Sequence, residues 1–332
     1  MKILVTGGCG FIGSNFILSM LEKHQDYKIV NLDKLTYAGN LENLNSIRKN
    51  QRYKFVKGDI CDKKTVNKLV KDADVIVHFA AESHVDRSIL HAEDFVKTNV
   101  LGTFVILDAA LRNGKKRVHH ISTDEVFGSL GNYGKFSEKT PYDPKSPYSS
   151  SKASSDHLAR AYHHTHGLPV TISNCSNNYG PYQFPEKLIP LFVTNLIDGK
   201  KVPVYGKGNN VRDWIHVYDH NEAVDLILNE GKIGETYCIG GNSEMSNMQI
   251  TKTILKEMNF NEDMIEYVED RKGHDFRYAI DFSKIKKELG WRPKHSFNRG
   301  IKETIQWYKE NERWWRPLKK KTIHNITKKM HG

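Results

Sequence analysis

The feature that most constrains the fold is a run of glycines at the start of the chain. Gly7, Gly10 and Gly13 follow an apolar strand over 2–6 and open a helix expected to run to about residue 23. Glycine here permits a tight turn, a close approach of backbone to a pyrophosphate and close packing of the helix on the strand. The helix N-terminus also attracts phosphate. The sequence therefore predicts a dinucleotide-binding loop.

An acid about twenty residues further on indicates which dinucleotide to expect. Asp33 ends a second strand, 28–32, where a carboxylate can accept hydrogen bonds from the adenosine ribose and would repel a 2′-phosphate. The sequence thus favours NAD over NADP. The neighbouring Lys34 weakens this inference, because its positive charge could accommodate the 2′-phosphate of NADP. Asp59 follows a third strand, 53–57, and is placed to meet the adenine amino group.

Strands and helices alternate through roughly the first 175 residues. A fourth strand, 74–79, is nearly continuous in apolar residues, as a strand buried on both faces should be. Helical patterns over 92–113 and 147–166 flank a fifth strand, 118–122. The alternation predicts an α/β fold, a Rossmann-type doubly wound parallel sheet.

Beyond residue 180 the sequence pattern changes: it predicts short helices joined by proline-containing loops, with isolated arginines and histidines. We expect an NAD-binding domain over 1–180 and a smaller C-terminal substrate-binding domain over 181–318, with segments that interleave. Residues 319–332 carry many lysines and are expected to form a solvated basic tail, a candidate for disorder.

The fifth strand runs into a polar tip, Thr123-Asp124-Glu125, and ligands of open parallel sheets bind at this end of the strands. The helix over 147–166 has Ser146 as a plausible N-cap and places Tyr148 and Lys152 on one face. A lysine ammonium beside a phenol lowers the phenol pKa, which gives a base for a substrate hydroxyl near neutral pH. Either motif alone is usually structural, and together with the glycine loop they predict an active site.

Composition narrows the class of protein. The net charge of +11 suits an anionic ligand, and without a recognisable nucleic-acid-binding motif we expect no nucleic acid as partner. We find no apolar run that would cross a bilayer, no targeting segment before the first strand, and no metal-binding spacing among the four cysteines. A cytoplasmic protein without a metal is expected.

Several long blocks of the sequence resemble the extended short-chain dehydrogenase/reductase family, and within it the nucleoside-diphosphate-glucose 4,6-dehydratases. The resemblance covers nearly the whole chain. The blocks are TGGCGFIG at 6–13, AAESHVDRS at 80–88, STDEVFG at 122–128, SPYSSSKA at 146–153, SNNYGPYQFPEKLIPL at 176–191, RDWIHVYDH at 212–220 and GHDFRYAID at 273–281. Related 4-epimerases share the glycine loop and the Tyr-Lys pair but generally lack the Thr-Asp-Glu triplet.

The resemblance implies the chemistry of the site. Bound NAD would take a hydride from C4 of the glucose of a nucleotide sugar, with dTDP-glucose the expected substrate. Tyr148 would accept the C4 hydroxyl proton, Lys152 would lower its pKa, and Thr123 would polarise the new ketone. Glu125 would then remove the C5 proton while Asp124 protonates the departing C6 hydroxyl. From the residues alone, either acid could take either role.

The resemblance also implies the binding residues. Those expected to line the cofactor are Gly7, Gly10, Phe11, Ile12, Gly13, Asp33, Lys34, Asp59, Ile60, Ala80, Ala81, Ser83, Thr98, Ser122, Tyr148, Lys152 and Asn177. Those expected around the nucleotide sugar are Ser83, Thr123, Asn177, Glu186, Lys187, Leu188, Pro203, Tyr205, Arg212, Asn247, Arg271, His274 and Tyr308. Arginine suits a diphosphate because its planar fork binds two oxygens.

Three alternatives remain open from the sequence. Phe276 stands where the family more usually has arginine, which leaves UDP-glucose as a second possible substrate. A 4-epimerase of the same fold is the nearest rival activity, and a non-catalytic NAD-binding or nucleic-acid-binding protein is a rival of another class. The family implies a homodimer formed through helices over about 92–112 and 147–166.

Overall fold

The computed structural model describes residues 1–271 and 273–320. Its largest element is a seven-stranded parallel sheet in the order β10-β6-β5-β4-β1-β2-β3, which confirms the predicted doubly wound parallel sheet. The strands are β1 Lys2–Thr6, β2 Lys28–Asp33, β3 Tyr53–Lys57, β4 Val75–His78, β5 Arg117–Thr123, β6 Val170–Cys175, β7 Asn177–Tyr179, β8 Val202–Tyr205, β9 Val211–His216, β10 Thr236–Ile239, β11 Glu244–Ser246 and β12 Ile265–Val268. The α-helices are α1 Phe11–Lys23, α2 Lys63–Lys71, α3 Val85–Leu90, α4 Ala92–Phe95, α5 Thr103–Arg112, α6 Pro147–His166, α7 Leu188–Ile197, α8 Val217–Glu230, α9 Asn247–Glu257, α10 Ser283–Leu289 and α11 Phe297–Glu310.

Helices cover both faces of this sheet, since successive residues of a strand point to opposite sides. Along β1, Ile3 packs with Phe16 of α1 and Leu228 of α8, whereas Leu4 packs with Ile106 of α5 on the other face. Helices α2 and α6 belong to that second layer. All these side chains are buried, so β1 is covered on both faces and its carboxyl end is firmly placed.

Local sequence signals fix the ends of α6, the helix of Tyr148 and Lys152. The Ser146 hydroxyl accepts a hydrogen bond from the Ser149 amide at 3.1 Å, and the Ser149 hydroxyl accepts one from the Ser146 amide at 3.0 Å. This reciprocal cap, with Pro147 in the first turn, starts the helix at its predicted residue. Gly167, with a φ of 64°, ends it.

The helix predicted over 92–113 is not regular. It consists of α4, a π-helical segment Val96–Gly102, and α5. The wide turn points the Asn99 amide into the protein, where it bonds the backbone of Glu82 at 2.9 and 3.0 Å and the Ser151 hydroxyl at 2.8 Å. Asn99 therefore joins the loop after β4 to the first turns of α6.

The C-terminal half forms a second core and also returns to the large sheet. Helices α7, α9 and α11 pack around Phe192, Ile254 and Ile305 beside two small sheets, β11-β9-β7 and β12-β8. However, β10 pairs in parallel with β6, and α8 covers the face shared with α1. The division of the chain at residue 180 stays a prediction.

The chain is still helical where the basic tail was expected to begin. Residues 312–320 are helical, and the Lys319 side chain is 8% exposed with its ammonium 2.8 Å from the Asp198 carboxylate. The start of the tail at 319 is therefore wrong for Lys319, because this ion pair anchors it beside α7. The prediction for residues 321–332 lies outside the described residues. Among those described, no helix is long and apolar enough to cross a membrane.

Candidate active site

A cavity runs along the carboxyl ends of β1, β2, β4, β5 and β6, and the glycine loop forms its floor. Gly7 has a φ of +73°, and a Cβ there would lie 2.6 Å from the Ala80 amide nitrogen. A Cβ on Gly13 would lie 2.5 Å from the Gly7 carbonyl oxygen. Side chains are thus excluded at both positions, which leaves backbone N–H groups at the start of α1 open to a pyrophosphate. The loop fits the dinucleotide that its sequence predicts.

Asp33 lies at the far end of this cavity with a mostly buried carboxylate. Its two oxygens accept hydrogen bonds from the backbone amides of Cys9, at 2.9 Å, and Leu35, at 2.8 Å. Burial raises the Asp33 pKa and these amides lower it. The Lys34 ammonium lies 2.8 Å from an Asp59 oxygen, so its charge is already compensated. The geometry therefore strengthens the expected preference for NAD over NADP.

The structure brings every predicted cofactor residue to the wall of this cavity. The cavity wall also includes residues that were not predicted: Thr36, Tyr37 and Gly39 in the loop after β2, and Glu82 after β4. The loop was missed because its sequence has no motif of its own. Its proximity to Asp33, which precedes it directly in the chain, is the signal that would have found it.

The predicted acid pair begins a 3₁₀ turn, Asp124–Phe127, at the end of β5. The Thr123 hydroxyl accepts a hydrogen bond from the Glu125 amide at 3.2 Å and caps the turn. Asp124 is 2% exposed, and its Oδ2 has no hydrogen-bond partner among the described residues. The tight turn thus holds both carboxyls at the cavity that contains Tyr148.

The surroundings of the two acids differ in a way that assigns their protonation. Burial raises the Asp124 pKa well above its usual value, and the negative charges of Glu125 and Asp213 raise it further. Burial also raises the Glu125 pKa, but the cations of Arg212, Lys187 and Arg271 oppose that effect. Asp124 is therefore the carboxyl that holds its proton more firmly, and Glu125 is the better base.

Tyr148 and Lys152 lie together on α6, but the expected effect of the lysine on the phenol is absent. The Lys152 ammonium donates a hydrogen bond to the Ile121 carbonyl oxygen at 2.8 Å. Burial, together with the Glu125 charge, raises the Tyr148 pKa well above its usual value, and a hydrogen bond with Thr123 only partly opposes this. The prediction of a lowered phenol pKa is therefore wrong, because burial and the nearby Glu125 charge disfavour the phenolate.

A second cavity adjoins the first and is shared with the C-terminal half of the chain. The two cavities meet at Glu125, because both are lined by Glu125, Asn177, Glu186 and Lys187. Arg212, 7% exposed, projects here from β9 and stacks on the Tyr278 ring at 4.1 Å. Its guanidinium donates to the carbonyl oxygens of Val211 and Asp275, at 2.7 and 3.0 Å, so it is fixed in place.

Arg271, in the wall of the second cavity, and Arg87, beside that wall, are held in ion pairs that the sequence did not reveal. Arg271 pairs with Asp86 of α3, and Arg87 pairs with Glu186 at 2.9 Å. Arg87 also lies over the ring of Tyr37, 3.7 Å from its centre. One guanidinium therefore connects the loop beside Asp33 with the loop that faces the second cavity.

Most of the predicted substrate residues line the second cavity. They are Asn177, Glu186, Lys187, Leu188, Pro203, Tyr205, Arg212, Asn247, Arg271 and His274. Ser83 and Thr123 line the first cavity instead, near the point where the two meet. His84, Asp86, Trp214, Asp275 and Tyr278 were not predicted.

Two residues are placed differently from the expectation. Tyr308 lines neither cavity: it is fully buried, and its hydroxyl donates to the Gln183 carbonyl oxygen, because α11 packs its apolar face into the C-terminal core. Phe276 is 43% exposed and does not line the second cavity. The Phe276 side chain therefore gives little indication of whether the protein binds a dTDP-sugar or a UDP-sugar.

The glycine loop, Asp33 and the Tyr148–Lys152 pair on a parallel sheet define an enzyme of the extended short-chain dehydrogenase/reductase class. A family model described as GDP-mannose 4,6 dehydratase matches residues 4–304. The dTDP-glucose 4,6-dehydratase of Streptomyces niveus is 52% identical over 323 residues and covers 96% of each chain. That of Escherichia coli is 50% identical over 347 residues and covers 95% of each. The chain belongs to the dTDP-glucose 4,6-dehydratase family, which confirms the predicted family.

Solved structures agree with this family. A dTDP-glucose 4,6-dehydratase from Bacillus anthracis, in complex with NAD, is 51% identical with a TM-score of 0.91, covering 96% of this chain and 99% of that one. A second, from Streptomyces venezuelae with NAD and TYD bound, is 50% identical with a TM-score of 0.94, covering 96% and 100%. The UDP-glucose 4-epimerase of Thermotoga maritima is 28% identical with a TM-score of 0.87, covering 93% and 99%.

Proposed function

We propose that this protein is an NAD-dependent 4,6-dehydratase that converts dTDP-glucose to dTDP-4-keto-6-deoxyglucose. The observation that carries the proposal is the acid pair: in the cavity that contains Tyr148, Asp124 is buried beside negative charges, whereas Glu125 is buried beside several cations. Elimination of water needs one acid and one base on adjacent carbons. A 4-epimerase needs neither, so the pair favours the dehydratase over that rival.

The first step is oxidation at C4. The chemistry that NAD⁺ supplies when bound is acceptance of the C4 hydride and its later return to C6. Gly7, Gly10 and Gly13 would hold its pyrophosphate, and Asp33 would hold the adenosine ribose. Tyr148 accepts the C4 hydroxyl proton, and Thr123, which lines the same cavity, orients the C4 oxygen. The buried ammonium of Lys152 and the positive nicotinamide together offset the desolvation that opposes the phenolate.

The second step is elimination across C5 and C6. The 4-keto group makes the C5 proton acidic, and Glu125 removes it. Asp124, protonated because it is buried among like charges, gives its proton to the departing C6 hydroxyl, which leaves as water. Glu125 then returns a proton to C5, at the stage where the bound cofactor would return its hydride to C6. The proton that Tyr148 gained replaces the one that Asp124 lost, by exchange with solvent.

The experiment that tests the reaction is incubation of the purified protein with dTDP-glucose and NAD⁺ in heavy water. Loss of one water, with deuterium at C5, is expected, because Glu125 exchanges its proton with solvent before returning it. An unchanged mass with inverted C4 would make the protein an epimerase. A parallel reaction with UDP-glucose measures the nucleotide preference. If only UDP-glucose were converted, dTDP-glucose would not be the substrate. The Tyr148→Phe variant is the control and should form no product with either sugar.

The protein is further proposed to act as a cytoplasmic homodimer. Ile89, Leu90, Val96 and Leu101 leave apolar side chains exposed along the helical run over 85–112, with Leu90 72% and Val96 56% exposed. Such a patch suits a self-complementary helical interface. Sedimentation should give twice the chain mass, and a Leu90→Glu, Val96→Glu double variant should be monomeric, with exposed Tyr133→Glu as control. A monomeric native protein would contradict the proposal.

A further inference from the structure

Behind the catalytic lysine, buried polar groups extend away from the cavity. The Lys152 side chain is almost fully buried, and its ammonium lies 3.4 Å from His120 Nε2. The same imidazole nitrogen lies 3.1 Å from Oδ1 of Asp156, one turn further along α6. His120 and Asp156 are both fully buried. A carboxylate has therefore been placed in the core beside a buried ammonium, with one imidazole between them.

Asp156 is held in its charged form by the groups around it. The hydroxyls of Ser122 and Tyr142 each donate a hydrogen bond to Oδ2 at 2.8 Å. Burial raises the Asp156 pKa, but the adjacent His120 imidazole, the charge of Lys152 and the Tyr142 hydroxyl together bring it below its usual value. A buried carboxylate without such partners would take up a proton. Arg160 adds a cation on the outer side, where its guanidinium donates to the Tyr142 hydroxyl at 2.8 Å.

The other titratable groups that face Lys152 carry no negative charge near neutral pH. On β4, burial holds the His78 pKa well below its usual value, and on β5 it lowers that of His120 to about 4. On β6, burial raises the Cys175 pKa to about 12, and on α6 burial raises that of Tyr148. These imidazoles, thiol and phenol are all neutral. Among these neighbours, Asp156 supplies the counter-charge.

We propose that Asp156, acting through His120, is the positioning residue that keeps Lys152 charged and in place beside Tyr148. Taking an ammonium out of water favours its neutral form, and an opposite charge nearby restores the charged one. Without Asp156, Lys152 would lose its proton at a lower pH and could no longer stabilise the Tyr148 phenolate. The inference rests on the proposed function only for the role of that phenolate.

The test compares Asp156→Asn, which removes the charge, with Asp156→Glu, which keeps it while disturbing the packing. The NAD-loaded protein is prepared with lysine carrying ¹³C at Cε, and Lys152→Arg identifies the Lys152 signal in the NMR spectrum. Asp156→Asn should lower the Lys152 pKa by about one unit or more. Asp156→Glu should leave it close to the wild-type value. No sugar is needed, so the result is independent of whether dTDP-glucose is the substrate.

A matched control separates charge from packing. Thr171→Val removes another buried hydrogen bond of β5, the 2.9 Å contact between the Thr171 hydroxyl and His119 Nδ1, without touching Asp156. It should leave the Lys152 titration unchanged. An unmoved Lys152 pKa in folded Asp156→Asn, or an equal shift in Thr171→Val, would overturn the proposal.

A second variant covers the case in which Asp156→Asn does not fold. Asp156→Ser also removes the charge, with a smaller side chain that can still accept the Tyr142 hydrogen bond, and it should lower the Lys152 pKa in the same way. No shift there would also overturn the proposal. Where turnover is measured, the alkaline limb of the kcat profile should move to lower pH in Asp156→Asn, because Lys152 deprotonates earlier.

Discussion

Asp86 and Arg271 form a two-point ion pair in the wall of the second cavity. Arg271 Nε lies 2.6 Å from Asp86 Oδ1, and Nη2 donates to Oδ2 at 3.0 Å. Asp86 belongs to α3, beside the large sheet, whereas Arg271 lies on the loop after β12. Both side chains are partly exposed, so the pair adds little to stability. The pair matters because Asp86 engages the Arg271 guanidinium, a group that could otherwise bind a diphosphate.

Asp86→Asn should tighten the binding of dTDP. The substitution removes a negative charge that competes with the diphosphate for Arg271, and we expect the Kd to fall a few-fold. Arg271→Ala should raise the Kd by about tenfold or more, because a charge-assisted pair of hydrogen bonds is lost. Calorimetry at low salt measures both. Asp26→Asn, an exposed change away from the cavities, is the control, and a weaker affinity in Asp86→Asn would contradict the competition.

Replacing the two acids should separate oxidation from elimination. Glu125→Gln removes the base, and Asp124→Asn cannot give up a proton, so each should lower kcat by roughly 10²–10⁴-fold while leaving the affinity for NAD unchanged. In Glu125→Gln, oxidation at C4 remains possible, so the near-ultraviolet absorbance of NADH should accumulate. The measurement is stopped-flow absorbance after mixing with dTDP-glucose. Wild-type turnover in either variant would remove that residue from the mechanism.

The raised pKa of Asp124 has a consequence for stability. Folding takes up a proton at this carboxyl, and its contribution is fully present below the unfolded pKa, about 4, and lost as the pH rises through the folded pKa. Asp124→Asn needs no such proton. Its Tm relative to wild type should therefore rise between pH 4 and pH 7, by a few degrees. Parallel calorimetric scans at the two pH values provide the measurement; a constant difference would mean that Asp124 ionises normally.

The glycine loop offers a matched pair of substitutions. Gly13→Ala places a Cβ 2.5 Å from the Gly7 carbonyl oxygen, whereas a Cβ on Gly131 meets nothing within 4 Å. We expect Gly13→Ala to weaken NAD binding by about 1–3 kcal/mol, since the loop must shift to make room. Gly131→Ala should bind NAD as the wild type does. Equilibrium titration followed by tryptophan fluorescence checks both, and equal affinities would mean that the loop can relax around the added methyl group.

Cofactor preference should depend on Asp33 and on the partner of Lys34. Asp33→Asn removes the repulsion of a 2′-phosphate, and Asp59→Asn releases the ammonium that Asp59 now holds at 2.8 Å. The double variant should raise the affinity for NADP relative to NAD by roughly tenfold or more. Asp59→Asn alone should change the ratio less, because Asp33 still repels the phosphate. Competition titrations with both dinucleotides give the ratio, and an unchanged ratio in the double variant would exclude this origin of selectivity.

Features that depend on a few neighbouring residues could be predicted accurately from the sequence. The glycine spacing places the cofactor loop, and Ser146 with Pro147 fixes the first residue of α6, because turns and caps depend on a few neighbouring residues. The carboxyl ends of parallel strands meet at one edge, so the order of the strands is enough to bring Asp33, Asp59 and Thr123 to one cavity. The π-helical turn at Asn99 escaped prediction, since it depends on a contact with Glu82 on another segment.

Features that need two distant segments could not be read from the sequence. Arg271 pairs with Asp86, which is 185 residues away in the sequence, and Arg87 pairs with Glu186, which is 99 residues away. No local pattern distinguishes these arginines from surface ones. The Tyr148 pKa is a similar case: a helical spacing shows that Lys152 is near, but the direction of the shift depends on how completely the phenol is buried. Tyr308 was misplaced because an aromatic residue near a tryptophan pair fits a core and a pocket equally well.

The position of β10 at the edge of the large sheet affects the order in which the protein can assemble during synthesis. β10 pairs with β6, yet sixty residues of the C-terminal half separate them in the chain. Until Thr236–Ile239 has left the ribosome, β6 presents an unpaired edge, which is open to association with other chains. A gene cut after residue 180 would make that exposed edge permanent. The N-terminal half therefore depends on the C-terminal half to complete its sheet.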